Sequence, residues 1–142
     1  MGTTRDELKD RCDAIEESHE FMLAYAAQGL AGDEANASSG QLRVFLTRCD
    51  EALTSLAELF GRLVEGEDLE PAARYRAFTA VFDRDARDAQ AAVQLVLTQP
   101  SISSQLIDNL NASIHVRALL TDLFLIDEII KPQAEMKPAT SS

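Results

Sequence analysis

The chain has 142 residues, 46% of them hydrophobic and 26% charged, and its 24 acidic and 13 basic residues leave a formal net charge of −11. That length suits one domain, and the composition is globular rather than disordered or membrane-embedded. An acidic surface repels phosphate backbones, so a nucleic-acid partner is not expected.

Residues 1–9 are polar and show no secretory or transit pattern, which sets the expectation of a cytoplasmic protein. The first apolar rhythm is Leu8, Cys12, Ile15, His19, Met22 and Ala26, spaced 4-3-4-3-4. It predicts a helix over 4–29 with Thr4 as N-cap and with Asp6 and Glu7 at the positive end of the dipole. Phe21 and Tyr25 stand one turn apart, nearly opposite this seam, and read as outward-facing contact residues. The small, polar stretch 30–39 reads as a loop.

A second helix is predicted over 40–64, with Leu42, Leu46, Cys49, Leu53, Leu56, Phe60 and Leu63 as its seam and Gly66 just past its end. A third is predicted over 71–98, opening at Pro71. Its seam is Tyr75, Phe78, Phe82, Asp85, Ala89, Val93 and Val96. Arg74, Arg76, Arg84 and Arg87 alternate with Asp83, Asp85 and Asp88, a pattern of salt-bridged surface rather than a basic stripe. The fourth helix, over 102–130, has Leu106, Leu110 and Ile114 as its early inner face and is closed by Pro132. Leu119, Leu123, Ile126 and Ile130 form a second apolar stripe on it, and the tail 133–142 is expected to be disordered. Asp122, Asp127 and Glu128 interrupt this most apolar stretch, so no membrane span or membrane partner is expected.

The expected fold is all-α: one domain over 1–132, an antiparallel up-down-up-down four-helix bundle. Loop length supports that topology. A helix of roughly 26 residues is about 39 Å long, while ten extended residues reach at most roughly 35 Å, so a crossover along the bundle would be strained.

Polar residues on the seams are the informative exceptions. Matching heights along the helices places His19, Asp85 and Arg117 in one layer near mid-bundle, with Ser113 beside them. Such a layer fixes register, as buried polar residues do in coiled coils, or forms a ligand site in which Asp85 tunes His19. Glu16-x-x-His19 has the spacing of di-iron bundles, but His115 has Ala112 three positions before it, so the set is incomplete. No metal is expected, and Glu16 and His19 are the weak candidates. Cys12 and Cys49 fall about 15 Å apart along the axis, beyond disulfide reach, and read as reduced core thiols. Nucleophile, phosphate-loop and cofactor fingerprints are absent, so neither a catalytic residue nor a cofactor is expected.

The function expected is that of a non-enzymatic interaction protein: an adaptor, regulator or chaperone-like bundle acting as a homodimer and able to take a protein partner. Phe21, Tyr25, Leu119, Leu123, Ile126 and Ile130 are its expected interface. The alternative is a small-molecule- or metal-binding bundle built on the polar core residues.

Overall fold

The computed structural model describes residues 3–31 and 33–140, with side chains for 3–31 and 39–130. It is all-α, with six helices and no strand among the described residues: α1 (Thr4–Ala27), α2 (Asp33–Leu53), α3 (Leu56–Gly66), α4 (Ala72–Leu97), α5 (Ser104–Ala112) and α6 (Ile114–Thr140). None of them is long and apolar enough to cross a membrane, among the described residues.

The first helix is capped one residue earlier than expected. Thr3 Oγ1 accepts from the Asp6 amide at 3.0 Å, and the Asp6 carboxylate accepts from the Thr3 amide at 3.3 Å. This reciprocal box satisfies two amides that the first turn leaves unpaired. At the other end Gly29 takes φ +67°, a left-handed conformation that glycine adopts without a Cβ penalty. The residues after it do not form a ten-residue loop. α2 begins at Asp33.

Two of the four expected helices are each broken in two, so six helices stand where four were expected. The segment predicted over 40–64 is interrupted between Leu53 and Leu56, where Ser55 adopts φ 55°, ψ 27°. A break frees carbonyls that a continuous helix would have used, and they must find other donors. Gln90 of α4 donates to the Asp50 carbonyl at 3.0 Å, and Arg11 of α1 donates to the Thr54 carbonyl. The break is thus held by side chains from two other helices. Left-handed backbone costs a residue with a Cβ roughly 1–2 kcal/mol, and glycine returns part of that gain through its more mobile unfolded chain. Ser55→Gly is therefore expected to raise the unfolding free energy by about 0.5–1 kcal/mol, read from the urea midpoint. A lowered midpoint would show that the serine side chain contributes more than the strain costs.

The second break is at Ser113, which is extended at φ −63°, ψ 145°. Its carbonyl accepts from the Arg117 amide at 3.1 Å and its Oγ accepts from the Val116 amide at 3.3 Å, so it serves as the N-cap of α6. The break rotates everything after it. A continuous helix would carry the buried Ile107 and Leu110 on to Ile114 and Arg117. Instead Ile114 is 73% exposed, and Val116, Leu119, Leu120 and Leu123 take the inward positions.

The core is otherwise where the rhythm placed it. All seven seam residues from Leu42 to Leu63 are buried, as are Leu8, Ile15, Met22, Phe82, Ala89, Val93 and Val96. α1 packs on α2, α3 and α5, while α4 packs on α2, α3, α5 and α6. Arg43 of α2 closes the end of α4, donating to the carbonyls of Leu97 at 3.1 Å and Gln99 at 2.6 Å. The last helix does not end at the expected closure at Pro132 but passes through most of the stretch 133–142 expected to be a disordered tail, of which residues 141 and 142 lie outside the described residues. α6 itself is bounded at Thr140.

Candidate functional site

The four residues expected to meet in a core layer take separate places. Arg117 is exposed, on the outer side of α6 beyond the Ser113 break. Ser113 is spent on capping. His19 is half-buried, and burial holds its pKa below the ordinary histidine value, opposed by the Glu20 charge. Asp85 does not act on His19; its partner is Asp122 of α6. The height matching assumed one continuous fourth helix, and the extended Ser113 removed that premise.

Asp122 is the polar core residue that the seam argument passed over. It stands three residues after Leu119 and four before Ile126, on the buried stripe of α6. It is 5% exposed, and its Oδ2 is buried with no hydrogen-bond partner. Burial first, then the hydrogen bond and the charge of Asp85, push its pKa up from 3.8 to about 7. The 3-4 spacing around it was the signal that could have found it.

The expected interface residues lie inside the protein. Tyr25 is 2% exposed and donates its hydroxyl to the Ile102 carbonyl at 2.6 Å. Phe21 is half-buried and stacks on Phe45 of α2, with ring centroids 4.5 Å apart, and Arg48 lies 5.1 Å over the Phe45 ring. Leu119, Leu123, Ile126 and Ile130 are all buried. The physical reason is that α1 has neighbours on more than one side and α6 needs its whole stripe to cover α4.

Several large apolar side chains are left outside. Phe124 is 59% exposed, Leu125 46% and Ile129 47%, and on α4 Val81 is 49% exposed. Tyr75 and Phe78 lie by Ile126, Ile129 and Ile130, whereas Ala89 and Val93 lie by Val116, Leu119 and Leu120, so α4 and α6 run antiparallel. Between them a groove of about 240 Å³ is lined by Phe60, Arg74, Tyr75, Phe78, Leu125, Ile126, Ile129 and Ile130. Among the described residues Arg74 is its one charged lining residue. A larger cleft, about 680 Å³, opens between α3 and α4 over Ala57, Gly61, Thr79 and Ala80. Five acidic side chains and two arginines line it, and Arg87 is engaged by Asp83 at 3.0 Å, so an anionic ligand is disfavoured there.

Nucleophilic chemistry finds little support. Cys12 and Cys49 are free thiols whose pKa burial pushes up to about 12, with acidic neighbours adding to the shift. Thiols held protonated are poor nucleophiles and poor metal ligands. Among the described residues no three His, Cys, Asp or Glu side chains converge as metal ligands, and Glu16 and His19 gain no third partner. Comparison with protein families, with curated proteins and with solved structures gave no match.

Proposed function

We propose that the chain is a non-enzymatic helical interaction protein of the cytoplasm, an adaptor, regulator or chaperone-like module that acts as a homo-oligomer through the α4–α6 edge. In this reading the six helices are four rods of an up-down bundle, two of them jointed. The observation that carries the proposal is the exposed pair Leu125 and Ile129, one turn apart on α6 and lining a preformed apolar groove. Large apolar side chains exposed together along a groove mark an interaction surface, whereas single exposed ones do not. The occupant is a second copy. Arg74 borders the groove, and the exposed Glu128 precedes Ile129 on α6. A two-fold pairing would bring the arginine of each copy to Glu128 of the other, offsetting locally the repulsion between two chains of net charge −11.

Light scattering of the full chain is expected to give twice the monomer mass. Leu125→Asp with Ile129→Asp is expected to weaken the pairing by at least about 100-fold, since each apolar side chain lost from a two-fold interface is lost twice. Helical content should be retained, because both positions are on the outside. A wild-type mass of one chain at high concentration would sink the homo-oligomer.

A further inference from the structure

The cleft between α3 and α4, about 680 Å³ in volume, uses a different face of α4 from the apolar groove. Its lining positions recur every three or four residues on both helices: 57, 61 and 64 on α3, and 72, 76, 79, 83 and 87 on α4. That rhythm makes it a channel running along the two axes and not a local pit. From position 72 to position 87 it extends about 22 Å along α4, some four helical turns.

Small groups form its floor. Gly61 and Thr79 meet there, since a Cβ on the glycine would lie 3.9 Å from Thr79 Cγ2. Ala57, Ala72 and Ala80 continue the floor. Small side chains let another backbone come close, so a helix laid over them can reach the roughly 8–10 Å interaxial distance of packed helices.

The walls are charged, and unevenly so. Glu58 and Glu65 stand two turns apart on α3, about 10 Å along its axis. Asp68 and Glu70 close one end of the channel, in the turn before α4. All four are exposed, and none is paired with a cation among the described residues. On the α4 wall Arg87 is engaged by Asp83, which leaves Arg76 as the open cation there.

We propose that this cleft is the docking site for a basic amphipathic helix of a partner protein. The helix lays a stripe of small side chains on the Gly61–Thr79 floor and sets lysines or arginines two turns apart against Glu58 and Glu65. An acidic residue of the partner facing Arg76 fixes the direction in which it lies. Charge disfavours the other occupants. A second copy, of net charge −11, brings acids to acids, and a nucleic acid brings phosphates. A bare metal ion finds no three converging ligands among the described residues. Because the cleft and the α4–α6 groove use different faces of α4, docking here is independent of whether the chain pairs with itself.

The probe is a synthetic helical peptide of roughly 16 residues, four turns, with lysines seven apart and alanines along one face. Its counterpart carries glutamate in place of every lysine. Binding to the full chain is followed by fluorescence anisotropy at about 0.15 M salt, where long-range attraction is screened. Wild type is expected to bind the lysine peptide at least about tenfold more tightly than the glutamate peptide. Glu58→Gln with Glu65→Gln is expected to weaken that binding at least about fivefold, the effect of losing two exposed ion pairs. Asp10→Asn with Glu20→Gln makes the same change of charge at exposed positions on α1, and is expected to weaken it less than about twofold. Ala80→Trp, which fills the cleft from an exposed position, is expected to weaken it at least about tenfold, with helical content retained by circular dichroism. Equal losses in the two charge variants would show that the acidic chain as a whole attracts the peptide, and would overturn the site. Full affinity in a folded Ala80→Trp, or no binding by the wild type, would overturn it too. Should Ala80→Trp fail to fold, the two charge variants decide.

Discussion

Phe60→Ala is expected to lower the unfolding free energy by about 3–5 kcal/mol, the usual cost of emptying a large aromatic site in a core that cannot collapse around it. Phe60 is 1% exposed. Its ring stands edge-on to Phe82 at 5.8 Å and to Phe78 at 6.5 Å, and those two stack on each other at 6.4 Å. Edge-to-face pairs contribute about 0.5–1.5 kcal/mol beyond area burial. The site is hard to repack because α3 is a single short helix of 11 residues, too short to stand alone. It is held by the burial of Leu56, Leu59, Phe60 and Leu63 against its neighbours. Phe60 also forms the floor of the α4–α6 groove, so its removal should join a new cavity to that groove and raise the binding of apolar dyes. Urea unfolding measures the first effect. A loss under about 1.5 kcal/mol would mean that Phe78 and Phe82 can close over the gap, and that the aromatic cluster is looser than its geometry implies.

The helices were legible wherever the 3-4 rhythm was strong. The seam from Leu42 to Leu63 is buried at every position, although it crosses the break at Ser55. The break itself left no local mark, because serine neither prevents a helix as proline does nor favours left-handed backbone as glycine does. Its causes are distant in sequence: Arg11 and Gln90 supply the donors for the freed carbonyls. Ser113 is similar, since a serine reads equally well as a buried polar residue or as a cap. That ambiguity misplaced the candidate site. With one continuous last helix, Arg117 faces inward and completes a layer with His19 and Asp85. With the helix broken, Arg117 turns outward and Asp122 becomes the neighbour of Asp85. Tyr25 failed for another reason. A helix in a simple bundle was given one inward seam, but α1 also packs on α5, and its second face became core.

That second face of α1 carries the other large effect. Ser104→Ala is expected to lower stability by about 2–3 kcal/mol, more than the size of the group removed would suggest. Ser104 is 2% exposed, and its Oγ accepts from the Leu30 amide at 2.8 Å and donates to the Tyr25 carbonyl at 2.6 Å. Its own amide donates to the Leu30 carbonyl at 2.9 Å. The Tyr25 hydroxyl meanwhile reaches the Ile102 carbonyl. These bonds tie the end of α1 to the start of α5, where no helix can satisfy the backbone groups involved. Alanine would leave the Leu30 amide unpaired. The Tyr25 carbonyl would still accept from the Gln28 amide at 3.2 Å, so the orphaned Leu30 donor alone sets the size of the loss. The neighbouring Ser103 is the control. It only caps α5, accepting from the Leu106 amide at 3.1 Å, and Ser103→Ala should cost about 1 kcal/mol. Equal losses at the two serines would show that Ser104 is merely another cap and that the join between α1 and α5 rests on apolar packing alone.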